Sequence, residues 1–372
     1  MKKLFTSILL SLTLAAGAGA QTISAFGDSQ TDATYTASAN RWRTILAGNL
    51  GQTITNYSHG GDQVGDQLPI VIARPSPGAN DTSIIWLGTN HQKQGVDATK
   101  QGYFKEGLRA LILQRALAVI LTAASVSGET GSWSGTGLWP SFGRASTSVG
   151  STKTFTVSGT AVYPTVLVVD SAGGAGTYEI KIDSGTAQAF NSTAAGITSP
   201  NGYPYSERAH RFAGLSSGAH TVELKMTGSS NFYVQWAGGN TQSVKPKVYV
   251  ANIPRMSSAS GLGYAAWGGS TANVQSYNAD IAAMVAELVA DGLDVTLVDL
   301  YSALNDTTDL HSADGLHISD AGHVKVAAAF HTAMTGGAPP PPPTVTYYQL
   351  YKGSDGIYYL DNSGTKTPTT VP

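Results

Sequence analysis

Strand-like and helix-like segments alternate through residues 21–127, stop, and alternate again through 245–335. That interrupted alternation restricts the fold more than any other feature. Strands alternating with helices build a parallel sheet with crossover helices on its faces. Ile23 to Phe26 and Thr53 to Tyr57 read as strands, with Arg41 to Leu50 helical between them. Ser83 to Leu87 is a continuous apolar run, as in a strand covered on both faces. Thr99 to Ala118 carries helical periodicity through Tyr103, Leu108, Leu111, Ile112 and Leu117. Beyond the interruption, Lys247 to Ile253 and Val295 to Leu300 read as strands, and Val274 to Asp291 as an amphipathic helix. Ser319 to Met334 closes the pattern as a helix, with Ser319 or Asp320 at its N-cap.

Residues 128–244 follow another grammar. Short segments bounded by Gly, Ser and Asn alternate apolar and polar residues: Thr152 to Ser158, Thr165 to Asp170, Thr177 to Asp183, His220 to Met226 and Asn231 to Trp236. Strands so punctuated predict a β-sandwich of jelly-roll type inserted into the α/β domain. Strict alternation would place Tyr233 and Trp236 on opposite faces. A run of prolines, Pro339 to Pro343, lies in a stiff linker spanning 336–346. In the Tyr-rich tail, 347–372, the runs Tyr347 to Tyr351 and Ile357 to Leu360 predict a β-hairpin.

The first twenty residues read as a signal peptide. Lys2 and Lys3 precede the apolar run Leu4 to Leu14, and Ala18-Gly19-Ala20 fits a small-x-small cleavage site. The run is short for a membrane span, so cleavage after Ala20 and a secreted or periplasmic protein without membrane insertion are expected. Charged residues are 12% of the chain and the net charge is −2, with no clustered Lys or Arg to suit a nucleic acid. Cys is absent, which removes disulfides and thiolate metal sites. No Gly-x-Gly-x-x-Gly or P-loop pattern occurs, so no cofactor is implied. Asp170 and Asp183 end strands, but no dense Asp/Asn loop accompanies them to suggest a metal.

The chemistry concentrates at the ends of the first strands and near the C-terminus. Gly27-Asp28-Ser29 follows Ile23 to Phe26 directly. A serine at a strand-to-helix turn displays its hydroxyl at a sheet edge. Serine needs a base to take its proton, and the base needs a third group to fix its tautomer. Asp314-Gly315-Leu316-His317 can supply both from one short loop, with His311 the rival base nearby. Donors for a developing oxyanion are offered by the glycine turn in Asn56-Tyr57-Ser58-His59-Gly60-Gly61 and by Asn90 in Gly88-Thr89-Asn90. All of these sit at carboxyl ends of predicted strands, where open α/β sheets place their crevice. His323 and His331 lie in the closing helix and read as packing or surface residues.

Gly27-Asp28-Ser29, Gly61, Gly88-Thr89-Asn90 and Asp314-x-x-His317 resemble, in order, the four blocks of the SGNH (GDSL-like) hydrolase family. The resemblance covers residues 21–127 and 245–335. It implies a three-layer α/β/α domain with a flavodoxin-like sheet. It also implies Ser29 as nucleophile, His317 as base and Asp314 as its orienting partner. The N–H groups of Ser29 and Gly61 and the side chain of Asn90 would form the oxyanion hole, with Gly60 the rival to Gly61. Family members are esterases, lipases and carbohydrate O-deacetylases. The third block departs from the usual Gly-x-Asn-Asp, since His91 follows Asn90; His91 is a candidate substrate contact. Trp133, Trp139, Tyr203 and Tyr205 lie in Gly- or Pro-rich segments of the predicted sandwich and are candidates for stacking on sugars. The expectation is an exported serine esterase that removes O-acetyl groups from an acylated carbohydrate without a metal. The alternatives are a short-chain esterase or lipase, and a polysaccharide-binding or adhesive protein with a vestigial hydrolase core.

Overall fold

The computed structural model describes residues 22–135, 143–170, 176–194, 196–199, 201–202, 204–228, 230–337, 349–352, 358–362 and 365–369. The expected signal peptide, the proline run, Trp139 and Tyr203 lie outside the described residues.

The chain opens with β1 (Ile23–Gly27), α1 (Ser29–Asp32) and α2 (Trp42–Leu50). β2 (Ile54–Asn56), α3 (Val64–Ile72), β3 (Thr82–Trp86), α4 (Thr89–Gln92) and α5 (Ala98–Ala116) follow. Next come β4 (Thr152–Ser158), β5 (Ala161–Asp170), β6 (Thr177–Ile182), β7 (Tyr205–Ala209), β8 (Ala219–Met226) and β9 (Phe232–Gly239), with shorter strands among them. The α/β pattern resumes with β10 (Lys247–Ala251), α6 (Gly263–Trp267), α7 (Thr271–Ala290), β11 (Val295–Val298) and α8 (Asp320–Thr335). Ser319 is the N-cap of α8, its hydroxyl accepting from the Gly322 N–H.

The central sheet runs β2-β1-β3-β10-β11, and every neighbouring pair is parallel. All five residues of β3 are buried, the apolar Ile84, Ile85 and Trp86 among them. Successive side chains point to opposite faces and divide the core in two. Phe26, Ile85, Val248 and Val250 pack with Leu68 of α3, Leu108 and Leu111 of α5 and Ile281 of α7. Ala25, Ile84, Trp86 and Ala251 pack with Trp42 and Leu46 of α2 and Phe330 of α8. The chain leaves β1 for β2 on one side and reaches β3 on the other. A crevice therefore opens at the carboxyl ends of β1 and β3.

The middle strands form two sheets. β6, β8 and β4 lie antiparallel in that order, with Gln188–Asn191 and Gly128–Thr130 at the edges. β5 is antiparallel to both β9 and β7 in the other sheet. Phe155, Tyr178, Ile180, Val222 and Leu224 of the first share one apolar cluster with Val162, Val166, Phe232 and Val234 of the second. The reverse face of the second sheet is also apolar. Tyr163, Leu167, Ala209 and Trp236 join the α3/α5 side of the α/β core. The inserted strands therefore share a core with the α/β layers, and the described residues up to Gly337 form one compact unit.

Tyr233 and Trp236 were expected on opposite faces, yet both pack on the α/β side. The register of β9 against β5 slips between Val234 and Trp236. This bulge inserts one residue and shifts the alternation by one. In the tail, taken by itself, Gln349–Lys352, Tyr358–Asn362 and Thr365–Thr369 form an antiparallel three-stranded sheet. The expected hairpin is thus joined by a third strand.

Candidate active site

β1 ends at Gly27, where there is no room for a side chain: a Cβ would lie 2.7 Å from Thr31 Cβ and overlap the Trp86 carbonyl. Thr31 Oγ1 donates to that same carbonyl at 3.0 Å. Glycine thus lets β1 turn into α1 hard against the end of β3. Asp28 caps the turn, its carboxylate accepting from the Gln30 N–H at 3.0 Å. Burial pushes the Asp28 carboxyl up to about 7, against the pull of the Gln30 N–H, the Lys93 charge and the Thr89 N–H. Ser29 opens α1, so its own N–H is one of the helix donors without an intrahelical partner.

His317 Nε2 stands 3.1 Å from Ser29 Oγ across a separation of 288 residues. On the other side of the ring, His317 Nδ1 is 2.7 Å from Asp314 Oδ2. A carboxylate there holds the ring proton on Nδ1 and leaves the Nε2 lone pair toward the serine. Asp314 also shapes the loop, because Oδ1 accepts from the N–H groups of Leu316 at 2.8 Å and His317 at 2.9 Å. Burial raises the Asp314 carboxyl, but its bonds to the His317 ring and to these two N–H groups outweigh that and hold it below its ordinary value. Gly315 supplies the left-handed residue the turn needs, at φ 61°.

Two residues absent from the sequence-based site set fix this loop. Gln30 is fully buried, and its Nε2 donates to the Leu316 carbonyl at 2.8 Å. The residue after Ser29 thus holds the residue before His317. Tyr35 covers the imidazole, with ring centroids 4.2 Å apart, and its hydroxyl accepts from the Ile318 N–H at 3.3 Å. The Tyr35 ring also stacks on the buried His323, at 5.8 Å. Burial pushes His323 down to about 4, so it is neutral. His311 engages the loop backbone, its N–H donating to the His317 carbonyl at 2.7 Å.

The oxyanion side is organised by Asp62, which is 4% exposed. Its backbone carbonyl accepts from Asn90 Nδ2 at 3.0 Å. Its carboxylate accepts from Asn201 Nδ2 at 2.9 Å and from Gln67 Nε2 at 2.5 Å. Gln67 Oε1 in turn accepts from the Gly27 N–H at 3.2 Å, tying the network to β1. Asn90 has a second amide hydrogen for a ligand. Its orientation is set by Lys93, whose Nζ donates to Asn90 Oδ1 at 2.9 Å. Burial lowers the Lys93 ammonium, opposed by the Asp28 charge. Both glycines of the second block border the site. A Cβ on Gly60 would sit 3.9 Å from Ser29 Cβ, and one on Gly61, at φ 84°, would sit 3.7 Å from Asn201 Oδ1.

The remaining sequence candidates fall elsewhere. The His91 ring turns inward, 4.7 Å from Phe104, and its Nε2 accepts from the Val64 N–H at 3.5 Å. Burial holds His91 down at about 3. The expectation of a substrate contact is thus replaced by packing. Trp133 packs 6.2 Å from Phe232, partly buried against the cluster between the two middle sheets. Tyr205 starts β7 and leans partly buried on the α3/α5 core, its carbonyl against Gly65. Asp170 accepts from the N–H groups of Gly196 and Thr198, and Asp183 accepts from Thr221 N–H and pairs with His220. Those carboxylates close loops.

A doubly wound sheet with a serine, an imidazole and a carboxylate converging at its switch point is an arrangement suited to nucleophilic hydrolysis. The model of the GDSL-like lipase/acylhydrolase family matches residues 227–330, a stretch that contains Asp314 and His317, and this match supports the resemblance to that family. Among solved structures, the chain is similar to a member of the lipolytic G-D-S-L family from Veillonella parvula, at 12% identity over 84% of this chain and 97% of that one, with a TM-score of 0.40. It is also similar to a carbohydrate acetylesterase from Sinorhizobium meliloti, at 13% identity over 85% and 99%, with a TM-score of 0.42. A family 3 carbohydrate esterase of Clostridium thermocellum gives 12% identity over 85% and 96%, with a TM-score of 0.38. No curated protein matches the chain.

Proposed function

We propose that the protein is a serine esterase that removes O-acetyl groups from a glycan through an acyl-enzyme. One observation carries the reading: the hydrogen-bonded relay from Asp314 through His317 to Ser29, 2.7 Å and 3.1 Å long. Ser29 Oγ attacks the ester carbonyl while His317 Nε2 takes its proton. The tetrahedral oxyanion lies among the N–H groups of Ser29 and Gly61 and the Asn90 amide. On collapse, His317 returns the proton to the departing alcohol oxygen. Water then attacks the acyl-enzyme, giving its proton to His317, and the acid leaves with Ser29 restored. Polar side chains near the nucleophile favour a short acyl group on a polar alcohol. His59 is two-thirds exposed and pairs with Asp62, and Asn201 and Lys93 border the oxyanion side. Export through a cleaved signal peptide belongs to the same proposal.

Hydrolysis of aryl esters of increasing acyl length tests it. Turnover should be greatest at acetyl and should fall by a factor of about 10³ or more in Ser29→Ala. A maximum at long acyl chains would make the protein a lipase. Undiminished turnover in Ser29→Ala would reject the serine mechanism.

A further inference from the structure

Trp267 is 46% exposed and is the one aromatic among the exposed large hydrophobic side chains of the described residues. Trp42, Trp86 and Trp236 are buried. A lone exposed apolar side chain needs no explanation; the way this one is held does. α6, which carries it, is strung between the two loops of the catalytic site. At its start, Gly263 N–H donates to the Asp314 carbonyl at 2.8 Å, and Ser257 N–H donates to the Gly315 carbonyl at 2.8 Å. At its end, Gly268 and Gly269 take φ 85° and 89°. A Cβ on Gly269 would overlap the Gln92 side chain, and one on Gly268 would come 3.4 Å from the Lys93 carbonyl. Asn273 Nδ2, just beyond, donates to the Gln92 carbonyl at 3.0 Å. Two successive left-handed glycines thus lay the chain directly on the segment that follows Asn90.

The indole is thereby set beside the oxyanion donor. Lys93 Nζ lies 5.3 Å from the Trp267 ring centroid, and the same nitrogen is 2.9 Å from Asn90 Oδ1. Ala265 and Ala266, also exposed, leave the helix surface before it low and open. A flat ring with an electron-rich face suits the C–H-lined face of a pyranose, whose hydroxyls then project sideways. Lys93 lies over one face of that ring and has further N–H donors to offer, leaving the opposite face for the sugar.

We propose that Trp267 is the platform on which the sugar ring of the substrate stacks while its ester reaches Ser29, so that the alcohol part of the substrate is a pyranoside. This rests on the serine-esterase reading above and names the substrate class for that site.

The test compares a ring-free ester with a sugar ester. Ethyl acetate is followed by pH-stat, alongside the member of an acetylated xylo-, manno- and chito-oligosaccharide panel that the wild type hydrolyses fastest. Trp267→Ala should lower kcat/KM for the oligosaccharide on the order of tenfold more than for ethyl acetate, mainly through KM. Trp267→Phe, which keeps a flat ring and guards against misfolding in the alanine variant, should fall between. Equal losses on both substrates, or no loss on the oligosaccharide, would overturn the platform. So would a wild type that cleaves ethyl acetate but none of the panel, and the esterase reading would then survive. That reading fails separately if Ser29→Ala cleaves ethyl acetate as the wild type does.

Discussion

At the scale of single residues, the site depends on side chains that orient others. In the proposed mechanism Asn90 can offer its amide to the substrate only if its oxygen faces elsewhere, and Lys93 holds that oxygen at 2.9 Å. The family resemblance leads one to expect an Asp after the Asn, and here that neighbour is His91, turned into the core beside Phe104. Lys93 and the Asp62 carbonyl fix the amide instead. Lys93→Met should therefore let the amide flip. We expect kcat to fall by about tenfold with KM little changed, less than the factor of about 10² or more expected for removing the donor in Asn90→Ala. Lys93→Arg should recover part of the loss. A drop confined to KM would show that Lys93 only binds substrate. Ser29, Asn90 and Asp314-x-x-His317 were legible in the sequence as candidates because a nucleophile, an amide donor and an acid–base loop each need a particular residue at a particular turn, and the structure brings Ser29, His317 and Asp314 into contact. Gln30, Tyr35, Asp62, Gln67 and Lys93 were not. Their roles come from bonds to residues distant in the chain, such as Gln30 to Leu316 over a separation of 286 residues, and no spacing announces such a bond.

At the scale of elements, runs free of proline were the most legible. Thr152–Ser158 and α5 lie within two residues of their sequence-predicted bounds. α3 was missed because Pro69 stands inside it and reads as a break. Burial of Val64, Leu68 and Val71 and a Gln63/Asp66 capping box hold the helix together regardless. α6 has five residues, starting at Gly263 and ended by Gly268, and too little length to show a period. The bulge in β9 left no local mark either. The acid–base loop is the element with least tolerance. A Cβ on Gly315 would come 2.6 Å from Ser257 Cβ and 2.9 Å from Leu262 Cβ, at a backbone φ of 61°. Gly315→Ala thus combines left-handed strain with a clash against the segment leading into α6. We expect a stability loss of about 2 kcal/mol in urea unfolding and a larger proportional loss of kcat, as His317 is displaced from Ser29. Wild-type values of both would mean that the loop is not anchored on Ser257 and Leu262.

At the scale of the whole molecule, the middle strands and the α/β layers meet across an apolar seam that holds a buried carboxyl. Glu207 of β7 is fully buried and accepts from Gln114 Nε2 of α5 at 2.7 Å and from Trp236 Nε1 of β9 at 3.2 Å. Burial pushes its carboxyl up from the ordinary 4.5 to about 8, against the pull of those two donors. The folded protein therefore keeps a proton that the unfolded chain releases above pH 4.5. Its contribution to stability is full below that value, declines as pH rises, and is gone once pH passes the folded value near 8. Glu207→Gln keeps the shape and the hydrogen bonds without the titration. Thermal unfolding of both proteins between about pH 5 and about pH 8.5 should show the wild type losing on the order of a few kcal/mol relative to the variant. Because the seam joins the inserted strands to α5 within one packed unit, the difference should appear in a single shared transition. Two transitions, with only one of them sensitive to Glu207→Gln, would mean that the inserted strands unfold on their own. Parallel pH profiles would mean that the Glu207 carboxylate is solvated in the folded protein.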